Sequence, residues 1–302
     1  MKITKLAGID IGSNSIRLLI SNVINNEGEI IFKKSSLTRL PIRLGADVFE
    51  NGKISDDNLE RLVKGMQAYR AIMDVYGVEV YRACATSAMR EAENGKEVIA
   101  EIAKNSNISI ELIDGKEEAQ IIFNSGLIST ISSMSSNFLY MDVGGGSTEF
   151  TLFSGDEIRA SRSFKIGTIR LLKNRVDETL WQEMEEWIKE KTAGLSNVLM
   201  VGSGGNINRT FKMTGLAVGN TLSVDFLEET YQNLMALEPE QRMLQYDLNP
   251  DRADVITHAL RIYLSAMRWA TSSKMLVPKK GLADGMVRNL YNDNFAEQHI
   301  EL

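Results

Sequence analysis

The chain has 302 residues, 43% of them hydrophobic, with 40 acidic side chains against 34 Lys and Arg and a formal net charge of −6. Such a length can bury a sizeable core and favours two domains, while the acidic balance repels polyanions, so no nucleic-acid surface is expected and a phosphate ligand needs a local cradle. The single cysteine, Cys84, excludes a disulfide framework, no apolar run approaches the ~20 residues of a membrane span, and MKITKLAGID is too short and polar for a signal peptide, so a cytoplasmic protein without a membrane partner is expected.

In chain order, apolar and β-branched clusters predict strands near 5–11, 16–24 and 28–36. "SDDNLERLVKGMQAYRAIMDVYG", from Ser55, has acids in its first turn, helical apolar spacing and a closing glycine, and predicts a helix. A strand at 78–85 and a helix at 115–131 follow, the latter with Glu117 and Glu118 in its first turn. Strands are predicted at 136–143, 147–154 and 156–164, then helices near 177–193, 204–213, 223–237 and 251–271. A short strand at 274–278 and a helix at 282–292 complete the series. The domains are set at 1–124 and 125–302, with the last helix able to pack back on the first.

"AGIDIGSNSIRLLI" (7–20) and "LYMDVGGGSTEFTLF" (139–153) share one pattern: apolar strand, Asp, apolar residue, Gly, small residues, Ser, returning strand. Asp10 aligns with Asp142, Gly12 with Gly144, Ser15 with Ser147 and Arg17 with Glu149. A duplicated α/β domain with two phosphate-type loops is the expectation. Glycines at a hairpin tip let backbone N–H groups reach an anion, and Ser15, Ser147 and Thr148 add hydroxyls. Aspartates at strand ends, Asp10 and Asp142, suit Mg²⁺, which takes one or two carboxylates, waters and phosphate oxygens. A third glycine stretch, "VGSGGNINRTFKM" (201–213), suits either an anion at a helix N-terminus or a plain strand-to-helix turn.

Two Asp-Gly hairpins and a later Gly-Gly loop resemble the actin-like ATPase superfamily, and within it the exopolyphosphatase / guanosine-pentaphosphate phosphohydrolase (Ppx/GppA) family. The stretches "GIDIGSNSIRLLI", "RACATSAMREAENG", "IDGKEEAQIIFNSG", "MDVGGGSTEF", "SFKIGTIRLL", "VGSGGNINR" and "NPDRADVITHAL" carry the resemblance in order. It implies an α/β fold of two RNase H-like domains with an interdomain active-site cleft, in the short form that lacks the helical extension of longer members. It departs from the family at "VPKKGLADG" (277–285), where Lys and Ala-Asp stand in for acidic and Arg-Glu positions.

From spacing alone, Glu117 and Glu118 are acids placed favourably at a helix N-terminus. The resemblance singles out Glu118 as the carboxylate that activates water. The family's other acidic positions match Asp142 and Glu149, and these, with Asp10 as a further candidate, are the expected ligands of Mg²⁺ or alternatively Mn²⁺. Phosphate contacts fall on Gly12, Ser13, Asn14, Ser15, Arg17 and Arg90, and on Gly144, Gly145, Gly146, Ser147 and Thr148. Arg39, Arg43, Lys165, Arg170 and Arg209 are candidates for a basic track. His258, inside a helix, His299, near the chain end, and Cys84, in a strand, do not offer a nucleophile or base. The expected activity is release of terminal phosphate from polyphosphate, or alternatively from guanosine pentaphosphate. An ATP-dependent kinase and a non-catalytic filament module are the competing classes, and a homodimer is compatible with any of these.

Overall fold

A computed structural model describes residues 1–126, 131, 135–155 and 157–295 of the chain. It divides into two compact units, Met1–Gly126 with the stretch from Lys280 onward, and Leu127–Lys279.

The first unit runs β1 (Lys2–Ile11), β2 (Ile16–Asn26), β3 (Glu29–Leu40), α1 (Leu44–Asn51), α2 (Asp56–Tyr76), β4 (Val80–Ala85), α3 (Ser87–Glu91), α4 (Gly95–Ser106), β5 (Glu111–Leu112) and α5 (Gly115–Phe123). The sheet order is β3-β2-β1-β4-β5, with the first three strands antiparallel and β1, β4 and β5 parallel. Local chemistry sets the helix ends. Ser55 caps α2 by accepting from the Asn58 amide, and Gly77 closes it at φ 67°, a left-handed conformation that costs glycine little. Asp114 caps α5 by accepting from the amides of Lys116 and Glu117 at 2.9 and 2.8 Å.

The second unit repeats the plan. It runs β6 (Asn137–Val143), β7 (Thr148–Ser154), β8 (Glu157–Phe164), α6 (Thr168–Leu172), α7 (Glu178–Thr192), β9 (Leu199–Ser203), α8 (Gly205–Met213), β10 (Thr221–Ser223), α9 (Val224–Met235), α10 (Pro239–Tyr246), α11 (Pro250–Ala253), α12 (Ile256–Trp269) and β11 (Lys274–Leu276). Its sheet order is β10-β11-β9-β6-β7-β8. β6, β7 and β8 are antiparallel and β6, β9 and β11 parallel, as in the first sheet. β6 and β7 are buried almost throughout, and Phe150, Phe164 and Trp187 pack ring on ring beneath them. This is the RNase H-like plan, built twice.

α13 (Leu282–Phe295) belongs to the first unit. Packing explains it: Leu6, Leu19 and Val23 of the first sheet share a core with Ala283, Val287, Leu290 and Tyr291. A Cβ on Gly285 would lie 1.9 Å from the Ile121 carbonyl oxygen of α5, a backbone approach only glycine allows.

Three expectations shift. The 251–271 helix breaks after Ala253, because the Arg242 guanidinium takes the Ala253 carbonyl at 2.9 Å. The helix expected over 115–131 is described to Phe123, and residues 127–130 of it lie outside the described residues. Helices α1, α3, α4, α6 and α10 had no counterpart among the predicted elements. Among the described residues no helix is long and apolar enough to cross a membrane.

Candidate active site

The first loop sits at the carboxyl end of β1. Ile11 and Ile16 pair across the hairpin, leaving residues 12–15 as a four-residue loop closed by the Gly12 N–H donating to the Ser15 carbonyl at 3.2 Å. Its outer carbonyls are taken by the chain entering α1. The Gly45 N–H donates to Ser13 O at 2.8 Å and the Arg43 N–H to Asn14 O at 3.2 Å. The buried hydroxyls of Ser13 and Ser87 lie 3.0 Å apart and tie the loop to α3. Arg90, on α3, donates to the Ile113 carbonyl just ahead of α5. Loop, α3 and the start of α5 are therefore linked at one edge of the sheet, the carboxyl edge where α/β folds bind ligands.

Of the two glutamates on α5, Glu117 accepts from Arg82 at 2.9 Å, and Arg82 also holds Glu111 at 2.7 Å. Glu118, half-buried, projects about 100° around the helix from it. Asp10 and Arg17, expected to divide between metal and phosphate, are register partners bonded to each other at 3.3 Å. Burial pushes the Asp10 carboxyl above its ordinary range, and the Arg17 charge opposes this. Burial pushes the Cys84 thiol up to about 12, which leaves it protonated and inert at neutral pH.

The second loop repeats the geometry. Val143 and Thr148 pair across the β6–β7 hairpin, and the Gly144 N–H closes residues 144–147 by donating to Ser147 O at 3.0 Å. Three successive carbonyls are captured from one side. Gly144 O accepts from the Thr168 amide at 3.0 Å, Gly145 O from the Ile169 amide at 2.8 Å, and Gly146 O from the Arg170 Nε at 2.6 Å. In a trans peptide the N–H points opposite to its C=O. The amides of Gly145, Gly146 and Ser147 therefore all point away from α6. These three residues are buried, and among the described residues no backbone acceptor meets those amides. Buried amides require partners, and a run of them forms an anion nest.

Two expected hydroxyl contacts change. Thr148 is fully buried and donates to the Ile166 carbonyl at 2.6 Å, so its hydroxyl proton serves the fold. Ser147 donates to Glu149 Oε1 at 2.5 Å, which commits its proton to a carboxylate. Two basic-track candidates change as well. Arg170 is buried on the second loop, and Arg209 holds the Tyr246 and Asp247 carbonyls at the end of α10. Lys165 is exposed, and Arg39 lies opposite Arg17 on β3.

Asp142 and Glu149 are direct cross-strand partners. Glu149 is 5% exposed and also accepts from Ser163 at 2.9 Å; Asp142 accepts from Ser203 at 3.3 Å. The fully buried Tyr263 donates to the Ser203 carbonyl, fixing the end of β9 beneath Asp142. Like charges directly opposite on adjacent strands repel, and a cation relieves this. Two carboxylates with hard oxygens suit Mg²⁺ or Mn²⁺. Among the described residues no group of three or more His, Cys, Asp or Glu side chains is assembled for a metal, so such an ion would draw its other ligands from water and phosphate oxygens.

Ser87, Ser163, Ser203 and Tyr263 were absent from the expected site. Ser87, Ser163 and Ser203 carried a sequence signal, since each lies in a stretch matching a family motif. Tyr263 carried none, because a Tyr on an apolar helix face reads as core.

Two sheets of like connectivity, each turning a hairpin into a four-residue loop held from behind by a helix, define a duplicated α/β protein of the actin-like class. Residues 23–293 match the Ppx/GppA phosphatase family, and the chain belongs to that family. It is 34% identical to the bifunctional 3-dehydroquinate synthase/phosphatase of Fusobacterium nucleatum over 74% of this chain and 34% of that protein. It is 28% identical to exopolyphosphatase 2 of Mycobacterium tuberculosis over 85% of this chain and 88% of that one. It is 24% identical to the guanosine-5'-triphosphate,3'-diphosphate pyrophosphatase of Aliivibrio fischeri over 98% of this chain and 62% of that one. The crystal structure of an exopolyphosphatase from Cytophaga hutchinsonii superposes with a TM-score of 0.82 at 24% identity, covering 96% of this chain and 97% of that one, a likeness of fold.

Proposed function

We propose that the chain is an exopolyphosphatase that removes terminal orthophosphate from inorganic polyphosphate. The observation that carries this is the second loop, whose three consecutive buried amides offer a cradle for phosphate oxygens. The family relationship and the relative named exopolyphosphatase 2 support it.

In this mechanism the amides of Gly145, Gly146 and Ser147 neutralise phosphate oxygens and fix the terminal phosphoryl group. Asp142 and Glu149 would hold Mg²⁺, which supplies charge stabilisation for the phosphoanhydride oxygens. Glu118 orients a water in line with the scissile P–O bond and accepts its proton as the new P–O bond forms. The bridging oxygen leaves with the shortened polyphosphate, and the proton on Glu118 returns to solvent. The match of Gly115–Ala119 to the family's Gly-x-Glu-Glu-Ala motif supports Glu118 as the residue with this role.

Phosphate release measured with Mg²⁺ from polyphosphate, guanosine pentaphosphate and ATP tests the proposal. Release from polyphosphate, lost in Glu118→Gln, is the expected result. Preference for guanosine pentaphosphate would favour the activity named for the Aliivibrio relative. Release undiminished in Glu118→Gln would remove the base assignment.

A further inference from the structure

In the first loop, two backbone amides of the chain entering α1 take the carbonyls of Ser13 and Asn14. In the second, backbone amides take Gly144 and Gly145, and a side chain supplies a third capture, the Arg170 Nε on Gly146 O at 2.6 Å. Arg170 is 9% exposed as a whole residue and its Nε bond to Gly146 O is buried, so this charge-assisted bond is made away from competing water. A third successive amide, that of Ser147, is aimed only because the Gly146–Ser147 peptide is fixed in this orientation.

Gly167 is part of the same device. A Cβ there would lie 2.4 Å from Gly145 O, so a side chain at that position would push α6 and Arg170 off the loop. The buried Arg170 is thus built into the loop's rear wall and does not form part of a surface track.

We propose that Arg170 is a positioning residue that sets the second loop's amides for a terminal phosphate. The proposal rests on the phosphate reading of that loop. Arg170 does not touch the phosphate; it acts through the peptide between Gly146 and Ser147.

The test uses the full chain carrying Glu118→Gln, so that bound phosphoanhydride is not turned over. Binding of tripolyphosphate with Mg²⁺ is measured by calorimetry, and hydrogen exchange is followed in the peptide spanning residues 144–148. Arg170→Met should weaken Kd by about tenfold, the scale of one bond to a charged group, and speed exchange in that peptide. Arg170→Lys, which keeps a cationic donor, should recover part of both. Arg209→Met serves as the comparison. It also removes a guanidinium that holds backbone carbonyls in this unit, and should lower the thermal midpoint while leaving Kd unchanged. An Arg170→Met variant with unchanged Kd and unchanged exchange overturns the proposal. If the Glu118→Gln chain binds no tripolyphosphate, the phosphate reading fails, and the exchange measurement still decides whether Arg170 holds the loop.

Discussion

Asp142 and Glu149 stand directly opposite each other across the β6–β7 hairpin, at the register position that Asp10 and Arg17 occupy across β1–β2. The first pair is an ion pair at 3.3 Å and neutralises itself. The second places two carboxylates side by side, one of them buried. One duplicated framework thus sets a carboxylate against a guanidinium in the first hairpin and against a second carboxylate in the other.

Added Mg²⁺ should therefore raise the thermal midpoint of the protein, because an ion bound only by the native state stabilises it in proportion to RT ln(1 + [L]/Kd). Asp142→Asn and Glu149→Gln should each flatten that response. A magnesium-dependent shift that persists undiminished in both variants would place the ion elsewhere. The same titration with Mn²⁺ should give the same order of effects, since both ions take hard oxygen ligands.

The adjacent glutamates of α5 should behave as opposites. Glu118→Gln is expected to lower phosphate release by about 10²- to 10⁴-fold, the usual scale of a positioned acid or base. Glu117→Gln removes a partly exposed ion pair with Arg82, whose net worth is about 1 kcal/mol or less, and should leave turnover within about threefold of wild type. Equal losses in steady-state phosphate release would contradict the division of roles.

The hairpins were legible because their chemistry is local. Asp, apolar residue, Gly and a returning strand fit in a dozen residues, and both copies fold to the same four-residue loop. What holds the loops was not legible. α1 and α6 have 8 and 5 residues, too short for a periodic apolar pattern to stand out. Gly167 and Arg170 acquire their meaning only from loop carbonyls about two dozen positions earlier. Arg170 accordingly looked like a surface cation, though the residue is buried. The break after Ala253 has a similar origin, a carbonyl captured by Arg242 from α10. Placement of α13 on the first sheet depends on contacts made across most of the chain, which no local pattern encodes.

Gly285→Ala should destabilise the first unit sharply. Its Cβ would fall 1.9 Å from Ile121 O, a backbone atom that cannot rotate aside, so α13 must move off α5. Overpacking of this kind costs about 1–3 kcal/mol, and a rigid backbone contact belongs at the upper end. Denaturant unfolding should show a lower midpoint. Gly28→Ala, at a hairpin tip where no atom lies within 4 Å, would pay only for its left-handed backbone at φ 94° and should cost less. A midpoint for Gly285→Ala equal to wild type would mean that the helices do not pack this closely.

His258 gives the pH dependence of stability a definite sign. It is half-buried on α12, and its pKa lies below the ordinary 6.5, first because burial disfavours the charged ring and then because Arg261 repels it, with Asp254 opposing. The unfolded chain therefore binds a proton more readily than the native one between the lowered value and about 6.5. Stability from this group is fully present above that window and is lost as pH falls through it. His258→Gln removes the titration, so the drop in thermal midpoint between pH 7.5 and pH 5.5 should be smaller in the variant than in wild type. Carboxylates that titrate in the same range contribute equally to both proteins and cancel in the comparison. An identical drop in the two would show that the native state takes up a proton at this ring without cost, and burial beside Arg261 would not be holding it neutral.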